Sequence, residues 1–275
     1  MRWQGFKGDG RPITNTTAQV VSFSEGLPST GVVAFHFWTT GALNTFANIT
    51  GGGNVNVLAD SDLIYSVNPT HLRKWSGRFT QGNYLPATTV TAFSLWFNFV
   101  DIVDDDAADN CQFPRGAVPT IQFSTNATVV TGSMFCAWTI SDQPASFFPR
   151  LFSQPMNIAA NQVNAPFPIK SRGGLARGYV VDTVGLDKIT MKLGGFQPVD
   201  MAGPGYLDAA NGDVLRETEQ IECDSTLTGV HAGRLPQVPI PGGTSEVVLT
   251  THTGGAGGNW AGATNPLTLW TQDSQ

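Results

Sequence analysis

The sequence has little charge: Asp, Glu, Lys and Arg together make up only 13% of its 275 residues. Soluble domains usually carry about 25% charged residues, and surface charge keeps a dispersed protein in solution. Two interpretations fit: extensive burial in an assembly, or a secreted β protein with a polar but uncharged surface. The net charge of −6 also lacks the basic excess typical of nucleic-acid binders. We therefore expect no sequence-specific nucleic-acid partner.

Long apolar runs are absent as well. No segment approaches the ~20 apolar residues of a membrane-spanning helix, and the stretch from Met1 to Lys7 lacks the apolar centre of a signal peptide. We therefore expect synthesis and folding in a host cytoplasm. The three cysteines, Cys111, Cys136 and Cys223, are odd in number and far apart. This pattern favours reduced thiols, with a Cys111–Cys136 disulfide as the alternative.

Catalytic motifs are missing too. The sequence contains neither a G-x-S-x-G nucleophile elbow nor an H-E-x-x-H zinc motif. Its four histidines, His36, His71, His231 and His252, show no metal-ligand spacing. His36 falls in a strand-like run, which favours a structural role. We expect no enzyme, although a catalytic group assembled from separated strands stays open at this point.

The densest charge is a run of aspartates: Asp101, Asp104, Asp105, Asp106 and Asp109. Clustered carboxylates bind Ca²⁺ when a loop brings several oxygens to ~2.3–2.6 Å from the ion. The run lacks the glycine and glutamate of an EF-hand, which favours a solvated loop. Ca²⁺ is the one cofactor that this run suggests, at a site that adjacent subunits would share.

The N-terminus mixes basic and aromatic residues: Arg2, Trp3, Phe6, Lys7 and Arg11. Such a mixture favours an anionic membrane interface. Three glycines and Pro12 predict an irregular conformation over residues 1–15. The two interpretations are a membrane-facing arm and a disordered tail.

Glycine and proline are abundant, at 31 and 17 residues. They bound β-branched and aromatic runs that predict strands. In the first half these are 17–23, 31–38, 89–100, 118–130 and 133–141; in the second they are 167–170, 177–184, 187–193, 245–252 and 266–271. Short helices are expected only at 60–68 and 205–222. Many short strands with Gly and Pro turns are typical of an all-β sandwich or jelly roll.

Two phrases recur along the chain. Gly31–Phe35 resembles Gly178–Asp182, and the pattern N-x-x-x-L-R occurs at Asn68 and again at Asn211. The spacing is too long for a solenoid unit of ~20–50 residues, so it predicts a tandem duplication. A proline-rich stretch between Pro144 and Pro168 predicts the boundary. We expect an N-terminal arm over 1–15, one domain over 16–150 and a second over 151–275.

The order of these elements resembles a known family. The stretches SDLIYSVNPTHLRKWSGRF and FSLWFNFVD are similar to the N-terminal jelly roll of double jelly-roll major capsid proteins. FFPRLFSQPMNI and RGYVVDTVGLDKITMKLGG resemble the entry into the second jelly roll. Tailless, membrane-containing icosahedral bacteriophages carry these proteins, which belong to the adenovirus-hexon-like lineage. The resemblance covers roughly residues 15–270.

The resemblance implies an all-β fold of two tandem jelly-roll barrels, with short helices in loops. It implies a structural protein of the virion that forms pseudo-hexameric homotrimers. The trimers would tile an icosahedral shell and contact other capsid and vertex proteins. The N-terminus would face an internal membrane, and no catalytic residues carry over. The chain lacks a long insertion, which assigns receptor binding to separate spike proteins.

Two alternatives remain at this stage. The tryptophan, asparagine and glycine content, with the acidic run, also fits a carbohydrate-binding or carbohydrate-processing β-sandwich protein. Such an enzyme would need two carboxylates ~5–9.5 Å apart. The second alternative is a minor capsid or vertex protein of the same virus type.

Overall fold

The described residues of the chain form β-strands and no helix. The computed structural model describes residues 1–13, 19–40, 53–67, 92–97, 111–125, 132–153, 157–158, 164–168, 175–181, 186–193, 199–202, 237–239, 244–251, 263–264 and 267–274. Nineteen strands, β1 to β19, run through these residues. The prediction of an all-β fold is confirmed. Within the same residues, no helix is long and apolar enough to cross a membrane.

The chain divides into two compact units. The first contains Met1–Phe152 together with Gln272–Gln275, and the second contains Ser153–Thr271. The first unit carries β1 (Arg2–Phe6), β2 (Arg11–Ile13), β3 (Val20–Phe23), β4 (Val32–Thr40), β5 (Val55–Ala59), β6 (Asp62–Val67), β7 (Ala92–Trp96), β8 (Pro119–Ser124), β9 (Gly132–Ser141) and β10 (Phe147–Ser153).

Two sheets make up the first unit. Sheet 1 has the strand order β1–β9–β4–β7, with β2 also paired to β9. Sheet 2 runs β3–β8–β5–β6–β10, antiparallel except for the parallel pair β6–β10. With β1 and β2 taken as one interrupted strand, β1 to β9 are eight strands, and every connection except the β5–β6 hairpin crosses from one sheet to the other. This is the order of a jelly roll.

Phenylalanine rings fill the space between the two sheets. Phe37 of sheet 1 lies 4.8 Å from Phe123 and 5.4 Å from Phe23 of sheet 2, measured between ring centroids. Tyr65 of sheet 2 approaches Phe97 at 5.3 Å. These rings are at most 1% exposed, and each such burial stabilises the fold by about 1.5–3 kcal/mol. The alternation of buried and half-buried residues along β5 and β8 follows because side chains alternate between strand faces.

The N-terminal residues belong to sheet 1. β1 pairs with β9 from Arg2↔Ser141 to Phe6↔Ala137, and β2 pairs with β9 farther along. The prediction that residues 1–15 are irregular is therefore wrong for both strands. Gly5 does not break the strand; it makes room for an indole, since a Cβ there would lie 2.5 Å from Nε1 of Trp138.

A hairpin replaces the predicted helix at 60–68. β5 and β6 pair through Ala59↔Asp62, and Asp60 and Ser61 form the turn. Asp60 has φ of 54°, and its backbone and carboxylate both hydrogen-bond to Val118, with the Val118 N–H donating to Oδ1 at 2.9 Å. The sequence of this segment predicted a helix because Asp is also a favoured residue at helix N-caps. The predicted helix at 205–222 lies outside the described residues.

The second unit contains the remaining strands. They are β11 (Asn157–Ile158), β12 (Asn164–Pro168), β13 (Leu175–Val181), β14 (Leu186–Leu193), β15 (Val199–Ala202), β16 (Gln237–Pro239), β17 (Thr244–Thr251), β18 (Ala263–Thr264) and β19 (Leu267–Ser274), whose last residues belong to the first unit. A four-stranded sheet has the order β12–β17–β14–β15. β13 pairs with β16, and β11 pairs with β18.

Strand order repeats between the two units. β12–β17–β14–β15 follows the pattern of β1–β9–β4–β7, and the antiparallel pair β13–β16 follows that of β3–β8. β14 therefore corresponds to β4, and β13 to β3. The predicted match of Gly31–Phe35 with Gly178–Asp182 is wrong, because Gly31 precedes β4 whereas Gly178 lies in β13. The second repeated phrase lies outside the described residues.

The proline-rich stretch contributes strands as well as connections. Pro149 lies within β10, and Pro166 and Pro168 lie within β12. β12 is at the edge of its sheet, where a residue without an N–H is tolerated. The predicted boundary stretch Pro144–Pro168 thus contains the division between the units after Phe152, but these three prolines lie in strands.

Candidate functional site

The predicted cation site lies outside the described residues. This applies to all five aspartates: Asp101, Asp104, Asp105, Asp106 and Asp109. Among the described residues, no group of three or more His, Cys, Asp or Glu side chains could hold a metal ion.

The structure divides the predicted N-terminal patch into two groups. Trp3 and Phe6 are 48% and 69% exposed, and Arg2 beside them is exposed. Lys7 and Arg11 are half-buried and turn toward Glu25 instead. The Lys7 ammonium donates a hydrogen bond to the Glu25 carbonyl, and the Arg11 guanidinium lies 3.8 Å from the Glu25 carboxylate. Trp3 and Phe6 are therefore the strongly exposed aromatic members of the predicted patch.

Phe6 belongs to a larger set of aromatic residues on sheet 1. Directly opposed residues of a ladder share a sheet face, and Phe6, Ala137, His36 and Ser94 form one such row. Phe135 and Trp38 lie in another row on that face, and Trp96 lies in a third. The buried Phe35 and Phe37 occupy the opposite face. We call this outer set the aromatic face: Phe6, His36, Trp38, Trp96 and Phe135.

Two rings of the aromatic face stack closely. Trp38 and Phe135 have centroids 5.6 Å apart and an interplanar angle of 14°. Gly10 lies against one of them, since a Cβ there would lie 2.9 Å from the Phe135 ring. Both rings are half-buried. A side chain at position 10 would therefore displace the Phe135 ring.

His36 has both ring nitrogens hydrogen-bonded. Nδ1 lies 2.7 Å from the Ser94 hydroxyl, and Nε2 lies 2.7 Å from the Thr139 hydroxyl. The Trp96 ring meets the imidazole edge to face at 5.7 Å. Burial lowers the pKa of His36 below its ordinary value of 6.5, so the ring is neutral near pH 7. The predicted structural role of His36 is confirmed by these contacts.

Charge is absent from the centre of the aromatic face. The outward positions of β4, β7 and β9 hold small, hydroxyl and aromatic residues: Ala34, His36, Trp38, Thr40, Ala92, Ser94, Trp96, Ser133, Phe135, Ala137 and Thr139. Of these, Ala34 and Thr139 are buried within the chain. Most antiparallel sheets with one face on the core carry polar and charged residues on the other. This face therefore has the composition of a contact surface.

A second feature of the first unit is an ion-pair network around Arg150. The guanidinium binds Asp62 through two bonds, Nη1–Oδ1 at 3.1 Å and Nη2–Oδ2 at 2.6 Å. Its Nε donates to Asp273 at 3.2 Å. These bonds, first of all the one to Asp62, raise the pKa of Arg150 above its ordinary value. The network joins β10 to the start of β6 and the end of β19, which makes it structural.

The two described cysteines, Cys111 and Cys136, are buried and form no disulfide. Burial raises the pKa of Cys136 to about 12. A thiol that stays protonated is a poor nucleophile. Cys136 is therefore poorly suited to act as a nucleophile.

Sequence comparison gives no relative: no family model matches the chain, and no curated protein matches it. Structural comparison does give a match. The major capsid protein P2 from bacteriophage PM2 superposes with a TM-score of 0.60 at 13% sequence identity, over 100% of this chain and 98% of that protein. The two chains share a fold. The likeness extends over both units of this chain.

Two further structures match more weakly. A peptide-N(4)-(N-acetyl-β-D-glucosaminyl)asparagine amidase gives a TM-score of 0.38 at 8% identity, covering 100% of this chain and 96% of that one. Tandem CBM51 modules of a family 98 glycoside hydrolase from Streptococcus pneumoniae SP3-BS71 give 0.23 at 10% identity, covering 94% and 83%. Likenesses this weak carry no argument about function.

Proposed function

We propose that the chain is a structural major capsid protein and not an enzyme. The observation that carries the proposal is the fold, which matches a phage major capsid protein over nearly the full length of both chains. The low charge content and the uncharged aromatic face support the same function, because both favour burial in an assembly. The protein would be made in the host cytoplasm and reside in the virion capsid.

The proposed mechanism is geometric. Two tandem jelly rolls in each chain would let a homotrimer present six similar barrels, so that trimers pack as pseudo-hexamers in an icosahedral shell. The repeated strand order of the two units supports the duplication. Stable subunit interfaces of this kind bury more than ~2,000 Å² and are more apolar than transient ones. Other capsid and vertex proteins would complete the shell.

Light scattering during size-exclusion chromatography tests the proposal. We expect a trimer, three times the 29.3 kDa chain mass, and three-lobed particles in negative-stain images. A chain that stays a 29.3 kDa monomer at every concentration and ionic condition would contradict the capsid function. If the chain assembles, its copy number in purified virions separates a major capsid protein from a minor or vertex protein.

The N-terminus supports a finer proposal, contact with an internal membrane. Arg2 and Trp3 at the start of β1 are exposed, and this pair suits an anionic lipid interface. Lys7 and Arg11 drop out of the predicted patch because both interact with Glu25. We expect the protein to cosediment with vesicles containing phosphatidylglycerol and the Trp3→Ser variant to bind them less. Equal binding by both proteins would contradict the contact.

Calcium binding by the acidic segment stays a separate proposal. The residues are Asp101, Asp104, Asp105, Asp106 and Asp109, and the ion would lie between subunits. Titration calorimetry with CaCl₂ on the assembled protein and on a variant with all five changed to Asn tests it. Identical heats for the two proteins would remove Ca²⁺ from the proposed function.

A further inference from the structure

The imidazole of the aromatic face is already hydrogen-bonded within the first unit. His36 uses both nitrogens on Ser94 and Thr139, at 2.7 Å each. Buried polar groups destabilise a protein when they lack hydrogen bonds. Because the imidazole needs no water, a partner can cover it without leaving its nitrogens unsatisfied. His36 is therefore prepared for burial although it lies outside the core.

The second unit provides an internal comparison. Its sheet β12–β17–β14–β15 has the same strand order, and the exposed Pro168 marks the outer face. The register places the half-buried Glu246 in the row of Pro168. The outer face of that sheet thus includes a charged residue. The jelly-roll fold itself does not require an uncharged outer face, so the aromatic face of the first unit has another cause.

The aromatic face ends at a strongly exposed ring on the edge strand β1. Phe6 lies in the row of His36 and is 69% exposed. Trp3 pairs with Ile140 and therefore lies on the opposite face of β1. The patch thus extends from the half-buried rings on β4, β7 and β9 to the exposed Phe6.

Charge identifies the occupant. The described outward positions of β4, β7 and β9 carry no charged residue, so the matching surface must be nearly uncharged as well. Anionic lipid headgroups are a poor match, since the nearby cations Lys7 and Arg11 are held by Glu25. A chain with only 13% charged residues supplies a suitable surface itself.

We propose that a second copy of this chain covers the aromatic face in the assembled protein. The proposal rests on the capsid function proposed above, which brings copies together. A trimer closes through heterologous contacts, in which one surface meets a different surface of the next copy. The aromatic face is one side of that contact, with Phe6 and the Trp38–Phe135 stack as its anchors.

Charged substitutions on the face test the proposal. Phe6→Asp and Thr40→Lys change exposed residues on this face, so each leaves the core intact. Val20 lies in β3 of sheet 2 and is 63% exposed, and Val118 directly precedes β8 of the same sheet and is 53% exposed. Val118→Asp and Val20→Asp are therefore matched controls. We expect each face variant to raise the dissociation constant of the oligomer by at least roughly tenfold. We expect the controls to change it by less than about threefold.

Mass photometry across a dilution series gives the constants, and urea unfolding of each variant confirms that the fold is retained. If the wild type assembles and both face variants assemble equally well, the face proposal is wrong while the capsid function stands. A wild type that never assembles contradicts both. Loss of vesicle binding by Phe6→Asp with unchanged assembly would assign the face to a membrane and overturn the proposal.

Discussion

Single glycines fix how closely the strands of the first unit approach each other. Gly31 has φ of +72°, and a Cβ there would lie 2.6 Å from the Ser141 carbonyl oxygen. The Gly31 carbonyl also accepts a 2.7 Å hydrogen bond from the Ser141 N–H. Both the backbone conformation and the contact exclude a side chain at this position. The start of β4 and the end of β9 can therefore meet only through glycine.

Replacement of Gly31 by alanine should destabilise the protein by about 2 kcal/mol, because φ is positive and the neighbouring atom is backbone. Gly8→Ala is the matched control, since a Cβ at Gly8 would have no other atom within 4 Å. We expect Gly8→Ala to change the free energy of unfolding by less than about 0.5 kcal/mol. Urea denaturation followed by circular dichroism measures both. Equal stabilities of the two variants would show that the Ser141 carbonyl does not exclude a side chain at position 31.

His36 should make stability depend on pH. Burial lowers its pKa in the folded state below 6.5, so the unfolded chain takes up a proton first as the pH falls. The His36 contribution is complete above pH 6.5 and is lost as the pH falls from there through the folded-state pKa. His36→Gln keeps a hydrogen-bonding side chain but does not titrate. The difference between the urea midpoints of the wild type and His36→Gln should become smaller as the pH is lowered from 8 to 5. A difference that stays constant over this range would contradict the prediction.

At the level of elements, the Arg150 network joins three strands. Arg150 on β10 binds Asp62 at the start of β6 and Asp273 near the end of β19. Its side chain is 10% exposed, whereas those of Asp62 and Asp273 are 57% and 28% exposed. The Phe148 ring lies 5.1 Å below the guanidinium. The partly buried cation therefore connects the end of β19 to β6 and β10 within the first unit.

Arg150→Met should destabilise the protein by about 1–2 kcal/mol, the lower part of the range for lost charged hydrogen bonds, because water screens the exposed Asp62. Asp142→Asn removes a partner from an exposed ion pair with the Met1 amino group. We expect that control to cost less than about 0.5 kcal/mol. Hydrogen exchange should also accelerate at β19 in Arg150→Met. Unchanged exchange there would show that the network does not hold the strand.

The strands were largely predictable from the sequence, whereas their partners were not. The run at 31–38 predicted β4 because β-branched and aromatic residues fill it and a glycine precedes it. The N-terminal strands were missed because glycine usually ends a strand, and at Gly5 it instead accommodates Trp138. The turn at Asp60 was missed because aspartate also begins helices.

The candidate site was predictable only in part, for a related reason. The exposed Trp3 and Phe6 were identified from their chemistry alone. The Arg150 network was not, because Asp62 and Asp273 lie 88 and 123 residues away in sequence. Neither were the partners of His36, which lie 58 and 103 residues away. Contacts this distant depend on strand order, which the sequence pattern does not specify.

For the whole molecule, the low content of charged residues determines how strongly salt affects the association of subunits. Salt weakens attractions between exposed charges, and the described centre of the aromatic face has none. The dissociation constant of the wild-type oligomer should therefore change by less than roughly threefold between 0.05 M and 0.5 M NaCl. It should rise on cooling, since apolar contacts weaken. A strong salt dependence, measured by mass photometry, would indicate that charged contacts dominate.

The chain returns to the first unit after it has formed the second. Gln272–Gln275 belong to the same unit as Met1–Phe152, whereas Ser153–Thr271 form the second unit. In sequence, the second unit is therefore an insertion within the first. Arg150 can form its ion pair with Asp273 only after all residues of the second unit have been synthesised. Completion of the first unit is thus coupled to synthesis of the second.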